Sequence, residues 1–285
     1  MVARTLTVRV AAVAASVALT TIALAACAPA AAPSSSASGS AAALDTVTAG
    51  KLTIATGDPA YSPWVIDDDP ASGKGFEAAV AYAVADELGY AKDDVVWVRS
   101  TFDSAIAPGP KDWDLNLQQF SITDERKKAV DFSSPYYTTT QAVVTLKGSA
   151  ADGATSLAKL KDVTVGVASS TTSYTIAAKE LGTGKLSVFN SNDDAVLALK
   201  SKQVDAIVVD LPTAFYLASA ELDDGLIVGQ FADSTGGDRF GIVLPKDSSL
   251  TAPVTAAVDA LRKAGTLDDL ASTWLSQTAN VPVLQ

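Results

Sequence analysis

The sequence predicts an α/β fold with mainly parallel sheets, divided into two lobes, and three observations support this prediction. The chain has 285 residues, of which 48% are apolar and 19% charged, a composition typical of globular proteins. From Leu44 onward, short β-branched segments alternate with longer helical patterns, which is typical of βαβ units. About 240 residues with this pattern exceed one comfortable hydrophobic core, so we expect two lobes.

The order of the elements follows from this alternation. Strands are predicted at Lys51–Thr56, Val95–Val98, Trp113–Leu117, Val163–Val167, Ser187–Phe189, Ala206–Val209 and Gly241–Leu244. Helices are predicted at Phe76–Leu88, from about Asp124, at Thr172–Leu181, at Asp193–Lys200, from Leu211, at Ala252–Ala264 and at Leu267–Ser276. Gly265 separates the last two helices in a position typical of a helix C-cap.

The amino terminus has the pattern of a secretory signal, which we assign to residues 1–26. Arg4 and Arg9 precede an uncharged run of small and apolar residues that ends at Leu24-Ala25-Ala26-Cys27. These four residues resemble the lipobox of bacterial lipoproteins, which implies cleavage before Cys27 and a lipid anchor on its sulfur. The alternatives are a transmembrane helix, which needs about 20 apolar residues, and a buried free thiol.

Residues 27–44 are predicted to be a tether, because Ala, Ser and Pro offer too little apolar surface to offset the entropy of ordering. A flexible coil of this length spans on the order of 20–25 Å. The sequence therefore predicts a folded domain held close to the outer face of the cytoplasmic membrane by lipidated Cys27.

Composition excludes several kinds of chemistry. The chain has no His and one Cys, so Ser-His-Asp and Cys-His nucleophiles and zinc sites built from His or paired Cys are impossible. An all-carboxylate site for a hard cation remains open. The net charge of −11 argues against nucleic acid as a partner. We expect no cofactor.

One segment carries a specific resemblance. Residues Phe120–Tyr137, which contain the string T-D-E-R-K-K, closely resemble the most recognisable stretch of the family 3 extracellular solute-binding proteins, which deliver polar amino acids to ABC importers. Further matches in the same order as in that family are Gly57–Trp64, Gly75–Glu77, Val165–Ser173, Val204–Pro212 and Phe240–Val243. The resemblance extends from about Lys51 to Trp274.

The resemblance implies a two-lobed periplasmic-binding-protein type II fold with the ligand cleft between the lobes. Lobe 1 is expected to be discontinuous, with residues 45–143 and 242–285, and lobe 2 to comprise residues 144–241. Crossover strands near Ala142–Leu146 and Phe240–Leu244 are expected to form a hinge. Ligand binding would shift the population towards the closed form, which the transporter would recognise.

Arg126 is the first candidate for ligand binding. From the residues alone, Thr123 is a helix N-cap and Arg126 is a solvated charge in the first turns. The resemblance implies instead that Arg126 points into the cleft and makes a bidentate pair with the ligand carboxylate, which a guanidinium fork fits and a Lys does not. It also implies that Ser121 donates to the same carboxylate.

Lobe 2 supplies two further candidate groups. The hydroxyl cluster Ser169–Ser173 lies between a strand and a helix, where unpaired backbone N–H groups favour an anion, although ordinary N-capping explains it as well. By resemblance, Ser170 and Thr172 hold the carboxylate from this side. Asp210 ends a strand and is a plausible N-cap of the next helix, whereas the resemblance assigns it to the ligand ammonium.

Aromatic and amide side chains complete the predicted pocket. By resemblance, Tyr61 and Phe102 enclose the stem of the ligand, and Phe120 joins them in the set of binding residues. Trp64 stands where the family more often has Phe, and the sequence does not decide whether its side chain lies in the cleft or in the core. Gln118, in a pair with Gln119 where relatives carry small residues, is a candidate for contacting a polar side chain of the ligand.

The resemblance implies a monomeric, non-enzymatic protein that captures a polar amino acid and delivers it to ABC permease subunits. Two alternatives remain open: a dehydratase-like or murein-lyase-like enzyme on the same fold, and a sensing lipoprotein without transport. An enzyme would need a cleft carboxylate with a raised pKa, and the spacing of the acids singles none out. The identity of the amino acid is not predicted, but a basic one would need a second acid such as Asp58.

Overall fold

The computed structural model describes residues 44–232, 237–275 and 281–285. The predicted signal segment, Cys27 and all of the predicted tether except Leu44 lie outside the described residues. No helix in the described ranges is both long and apolar enough to cross a membrane.

Strands and helices alternate along most of the described chain. The strands are β1 (Leu52–Thr56), β2 (Val95–Arg99), β3 (Leu115–Asn116), β4 (Val130–Thr139), β5 (Gln141–Leu146), β6 (Val165–Ala168), β7 (Leu186–Phe189), β8 (Ala206–Asp210), β9 (Gly225–Phe231), β10 (Asp238–Pro245) and β11 (Val283–Leu284). The helices are α1 (Phe76–Glu87), α2 (Phe102–Ile106), α3 (Leu157–Leu160), α4 (Thr172–Leu181), α5 (Asn192–Lys200), α6 (Leu211–Tyr216), α7 (Thr251–Ala264) and α8 (Thr266–Trp274).

The strands form two separate sheets, one for each lobe. The first has the order β2-β1-β3-β10-β4 and the second β11-β9-β5-β8-β6-β7. Both sheets are mixed: β1 runs parallel to β2 and β3, and β6 runs parallel to β7 and β8. The strands next to the crossovers, β4, β5 and β10, are antiparallel to their described neighbours.

Lobe 1 has an aromatic core against α1 and α7. Trp64, Phe76, Tyr137 and Phe240 form edge-to-face and tilted pairs with ring centroids 5.2 to 6.1 Å apart. Such pairs add to the free energy gained by burying their area. Trp64 is only 1% exposed, so its ring belongs to the core of lobe 1.

Lobe 2 buries both faces of its sheet, because alternate residues of a strand point to opposite sides. On β8, Ile207 and Val209 pack with α5 and α6, whereas Ala206 and Val208 pack with α3 and α4. The near-continuous apolar character of β8 therefore fits a central strand covered on both sides.

The crossovers differ from those expected. β4 ends at Thr139 in the first sheet and β5 begins at Gln141 in the second, so the first crossover lies at Thr140 rather than at Ala142–Leu146. The second lies between β9 and β10, before Asp238, rather than at Phe240–Leu244. The expected lobe boundaries at 143/144 and 241/242 are therefore three residues and at least four residues too late, because β5, from Gln141, pairs only in the second sheet and β10, from Asp238, only in the first.

The carboxyl terminus also corrects the expected division. Residues 242–285 were all expected in lobe 1, but β11 pairs with β9 in the second sheet. Leu284 is buried in the lobe 2 core, and a Cβ added to Gly229 would lie 2.6 Å from the Leu284 Cγ. Because Gly229 has no side chain, the Leu284 side chain can pack against it.

One local prediction at the T-D-E-R-K-K string fails, and the strand that follows it was not predicted. The helix expected from Asp124 is a single 3₁₀ turn at Arg126–Lys128, and the chain then enters the unpredicted strand β4. β4 contains Pro135, which has no backbone N–H to donate to a neighbouring strand. β4 lies at the edge of its sheet, and edge strands tolerate such a residue. Strand β9 and helix α2 were not predicted either.

Gly75 directly precedes α1 and lies close to the backbone of Trp64, and substituting it tests this close approach. Gly75 has φ +103°, and an added Cβ would lie 2.5 Å from the Trp64 carbonyl oxygen. Gly89 has φ +86° with nothing within 4 Å of an added Cβ, so it is a matched control for backbone strain alone. We expect Gly89→Ala to cost about 1 kcal/mol and Gly75→Ala clearly more in chemical denaturation. Equal losses in the two variants would contradict the close approach.

Candidate functional site

A cavity of about 260 Å³ lies between the two lobes. Lobe 1 lines it with Thr56, Gly57, Asp58, Pro59, Ala60, Tyr61, Val65, Thr101, Phe102, Gln118, Gln119, Ser121 and Arg126. Lobe 2 lines it with Ala168, Ser169, Thr171, Thr172, Ser173, Asn190, Ser191, Asn192 and Asp210. Strand ends and helix starts from both lobes border the cavity.

Arg126 forms one charged side of this cavity and contacts both lobes. Its Nη1 donates to the carbonyl oxygen of Ser121 at 2.7 Å, and its Nη2 donates to that of Ser170 at 2.9 Å. The guanidinium carbon lies 5.2 Å from the centre of the Phe102 ring. Arg126 is 8% exposed, and burial lowers the pKa of its guanidinium while nearby acids oppose that change. Two backbone carbonyls and the Phe102 ring thus fix the guanidinium at the cavity wall.

The 3₁₀ turn after Thr123 positions Arg126. The Thr123 hydroxyl accepts the backbone N–H of Arg126 at 3.1 Å, so the expected capping contact exists even though a long helix does not follow. The Arg126 side chain is not a solvated helix charge, since the turn directs it inward.

Asp210 supplies a carboxyl group to the cavity from lobe 2, at the end of β8. It precedes α6, but its side chain makes no capping hydrogen bond. Instead, its Oδ1 accepts from the Gln141 side-chain nitrogen at 2.5 Å. Burial, together with the negative charge of Asp238, raises the pKa of Asp210 to about 8. Asp210 therefore occupies the N-cap position of α6 considered for it, but its carboxyl lines the cavity and does not cap the helix.

Two further hydrogen bonds join the lobes. The hydroxyl groups of Ser121 and Thr172 lie 3.2 Å apart, and the Trp64 indole N–H donates to the Thr213 hydroxyl at 2.9 Å. Together with the bond from Arg126 to Ser170, they show lobes in direct contact around the cavity.

Ser170, expected to hold the ligand carboxylate, does not line the cavity. Its backbone has φ +60°, and its carbonyl, not its side chain, contacts Arg126. The N-cap of α4 is Thr171, whose hydroxyl accepts the backbone N–H of Tyr174 at 3.1 Å. Thr171 and Thr172 line the cavity at the start of α4, and Ser170 is absent from its lining.

The predicted aromatic residues divide into cavity and core. Tyr61 and Phe102 line the cavity, but Phe120 is fully buried and stacks under Phe102 with ring centroids 4.8 Å apart. Phe120 is thus a support for Phe102 rather than a lining residue. Burial and the charge of Asp193 raise the pKa of Tyr61 to about 12, so its phenol stays protonated and can donate.

Two buried acceptors in the cavity lining have no hydrogen-bond partner within the described residues: Gln118 Oε1 and Asn192 Oδ1. A buried polar atom without a partner costs free energy unless something else satisfies it. Donors on a bound molecule would satisfy both atoms. Asp58, exposed at the same cavity, adds a carboxylate.

Sequence reasoning missed the loop at residues 190–192, which follows β7 and begins α5. Ser191 caps α5, and its hydroxyl accepts the N–H of Asp194 at 3.1 Å. Three polar residues directly after a parallel strand are the signal that could have found it, because strand carboxyl ends border such clefts.

A second buried carboxyl, Glu77, lies behind the cavity at the start of α1. Its oxygens accept the backbone N–H of Gln119 at 2.7 Å, the Gln119 side-chain amide and the Tyr136 hydroxyl. Burial raises the pKa of Glu77 to about 7, although these hydrogen bonds oppose the change. Glu77 thus fixes Gln119 at the cavity edge, next to Gln118.

Two α/β lobes around a polar cleft, with a ligand-sized cavity lined by an arginine from one lobe and an aspartic acid from the other, define the two-lobed class of binding-protein folds. Residues 52–277 match the family described as bacterial extracellular solute-binding proteins, family 3. The chain belongs to this family.

Individual relatives support the same assignment. The chain is 30% identical over 242 residues to the L-arginine-binding protein of Pseudomonas aeruginosa, an alignment that covers 82% of this chain and 92% of that protein. It is 31% identical to the arginine-binding extracellular protein ArtP of Bacillus subtilis, with 71% of this chain and 78% of that protein covered.

Among solved structures, the chain is similar to an ancestral arginine-binding protein bound to arginine. The TM-score is 0.66 at 33% identity, with 79% of this chain and 98% of the other covered. It is also similar to an ancestral amino acid-binding protein described as a precursor of cyclohexadienyl dehydratase, with a TM-score of 0.66 at 32% identity, covering 80% and 96%.

The raised pKa of Asp210 makes stability depend on pH in a defined direction. Between its ordinary value near 4 and about 8, the folded protein binds this proton more tightly than the unfolded chain does, so stability falls as pH rises. Asp210→Asn removes this loss. We expect its advantage over the ligand-free wild type to grow from pH 5 to pH 8 in denaturant titrations. The exposed Asp223→Asn should show no such trend, and an equal difference at both pH values for Asp210→Asn would contradict the burial of a proton there.

Proposed function

We propose that this protein captures a free polar amino acid in the cavity between its lobes and delivers it to an ABC importer. The observation that carries the proposal is that Arg126 and Asp210, on different lobes, line one cavity. A guanidinium and a carboxylate facing one small space are complementary to the carboxylate and ammonium of a zwitterion. Both contacts together select an α-amino acid over an amine or an acid alone.

Arg126 is proposed to hold the ligand carboxylate together with Ser121 and Thr172. The two hydroxyls already lie 3.2 Å apart across the lobes, beside the start of α4, where free backbone N–H groups favour an anion. An anion placed there would contact both lobes at once. Binding would therefore favour the closed form through contacts that only this form provides.

The side-chain end of the ligand is proposed to carry hydrogen-bond donors. Gln118 Oε1 and Asn192 Oδ1 are acceptors without a partner among the described residues, and Asp58 adds a negative charge nearby. Relatives named for binding arginine support the same choice, and other relatives are named for histidine and glutamine. L-Arginine is thus the first ligand to test.

Tyr61 and Phe102 are proposed to enclose the ligand stem, with Phe120 behind Phe102. The stacked pair gives Phe102 a fixed orientation, and the ring of Phe102 also contacts Arg126. The aromatic wall therefore links the stem of the ligand to its carboxylate site.

We further propose that the protein works outside the cytoplasm, anchored by lipid on Cys27 and acting as a monomer on the permease subunits of its importer. Membership of an extracellular family and the Leu24–Cys27 pattern support the location and the anchor. Loss of labelled-arginine uptake on removing the protein would separate transport from a purely sensing role.

One observation favours a second candidate function. A dehydratase-like enzyme needs a cleft carboxylate with a raised pKa, and Asp210 now fits that description. We nevertheless propose a non-enzymatic protein, because the Asp210 carboxyl is matched by Arg126 as a binding pair. Turnover of prephenate by the purified protein, lost in Asp210→Asn, would establish the enzymatic alternative.

The ligand proposal is tested by calorimetry with the twenty amino acids, cystine, ornithine and citrulline. We expect L-arginine to bind and Arg126→Ala to weaken binding by about 3–5 kcal/mol, a hundredfold or more in Kd, because a buried carboxylate loses its partner. Arg239→Ala is a matched control, since Arg239 is exposed and outside the cavity lining. Unchanged affinity in folded Arg126→Ala would remove Arg126 from the site, and no binding by any amino acid would end the proposal.

The anchor is tested separately by Cys27→Ser in cells. We expect the wild type to incorporate labelled fatty acid and the variant to lose this label, because a Ser hydroxyl cannot accept the thioether-linked lipid. Cys27 is the sole cysteine of the chain, so no other thiol can take the modification in its place. Incorporation of labelled fatty acid into Cys27→Ser equal to that into the wild type would contradict a lipid anchor at this residue.

A further inference from the structure

Gln141 connects two carboxylates at the crossovers between the lobes. Its side-chain nitrogen donates to Asp210 Oδ1 at 2.5 Å and to Asp238 Oδ2 at 2.6 Å. Two oxygens that share one donor at these distances lie within about 5 Å of each other. Two carboxyl groups so close resist being ionised together.

Chemistry fixes the orientation of the Gln141 amide. The NH₂ group of Gln141 faces the two acids, as it must when either carboxyl is ionised, because an ionised carboxylate only accepts hydrogen bonds. The amide oxygen then accepts the Ser173 hydroxyl at 2.5 Å. Gln141 is 6% exposed and Ser173 4% exposed, so this arrangement is shielded from solvent.

The four residues come from both sides of the hinge. Asp238 begins β10 in the first sheet, directly after the second crossover, and Gln141 begins β5 in the second sheet, directly after the first. Asp210 ends β8, where it pairs in register with Gln141, and Ser173 lies in the first turn of α4. Movement at either crossover would therefore change the distance between the two carboxylates.

Asp210 has no full cationic partner in this arrangement among the residues described. Burial and the charge of Asp238 are the two largest causes that raise the pKa of Asp210, to about 8. The other ionisable groups that interact with Asp210 are Glu77, which raises its pKa further, Arg126, which lowers it, and Tyr136 and Tyr137, whose own pKa values are raised in part by Asp210. At neutral pH the ligand-free carboxyl of Asp210 therefore holds a proton.

We propose that the ligand ammonium displaces this proton from Asp210, and that Asp238, held in place by Gln141, is the positioning residue that keeps the proton bound until the ligand arrives. The proton leaves to solvent as the ammonium takes its place, so the charge of the site is unchanged by the exchange. The inference rests on the proposed function, because it needs a ligand with an ammonium group. It adds a role for Asp238, which does not line the cavity.

The exchange makes binding depend on pH. Below about pH 8 a proton competes with the ammonium for Asp210, so affinity should weaken by up to about tenfold for each pH unit between 8 and 6. The competition is greatest when Asp238 is negative and close to Asp210. Neutralising Asp238 should therefore reduce the competition between the proton and the ammonium.

Calorimetry with L-arginine and L-glutamine tests this, since neither side chain titrates between pH 6 and 8. Titrations at pH 7 in buffers of different ionisation enthalpy give the number of protons released. We expect close to one for the wild type, clearly fewer for Asp238→Asn, and a flatter pH profile for that variant. Asp223→Asn, which makes the same charge change at an exposed position, should behave like the wild type.

Gln141→Met is the second variant, because it keeps a similar volume and removes the shared donor. It should also change proton release and pH dependence, and thermal denaturation will show whether each variant is folded. Binding of either amino acid without proton release would overturn the inference while leaving the proposed function intact. Proton release in folded Asp238→Asn equal to that of the wild type would overturn the role of Asp238. Failure of both amino acids to bind the wild type would count against the proposed function itself.

Discussion

The guanidinium of Arg126 donates to one backbone carbonyl in each lobe, Ser121 in the first and Ser170 in the second. This pair of contacts brings a positive charge to the place where the lobes meet. Ser170, whose carbonyl accepts one of these bonds, has a left-handed backbone with φ +60°, and the short turn after Thr123 directs Arg126 inward. The interlobe cavity depends on this arrangement, because the same contacts that hold the charge also hold the lobes together.

Burying acids around a cavity has an energetic cost that a ligand can offset. Glu77 and Asp210 both have raised pKa values because burial disfavours their charged forms. Glu77 is satisfied by protein donors, whereas Asp210 shares a single amide donor with Asp238. The two acids therefore differ in function: Glu77 orders the cavity edge through Gln119, and Asp210 has capacity left for an incoming cation.

Much of the fold was accessible from the sequence because hydrophobic periodicity and capping are local. The bounds of α4 were predicted correctly, as were the alternation of strands and helices and the general position of α1. Strand β11 and the crossovers were not, because pairing with β9 or with the first sheet depends on residues far along the chain. Periodicity cannot report which sheet a short apolar segment joins. The candidate site shows the same division between local and distant causes. The resemblance carried by the T-D-E-R-K-K string and by the segment at the end of β8 selected Arg126 and Asp210, which line one cavity, whereas the residues alone favoured a solvated charge and a helix N-cap. Ser170 and Phe120 were expected there but do not line the cavity: Ser170 has a left-handed backbone and its carbonyl contacts Arg126, and Phe120 stacks behind Phe102. The contact between Gln141 and Asp238 joins residues 97 positions apart and has no signature in the sequence.

A crystal structure of the protein grown with L-arginine tests the central claim most directly, because the claim concerns which end of a zwitterion each lobe holds. The account predicts the ligand carboxylate within hydrogen-bond distance of the Arg126 guanidinium and the ammonium within the same distance of Asp210. A ligand bound in the reverse orientation, or bound away from both side chains, would contradict it.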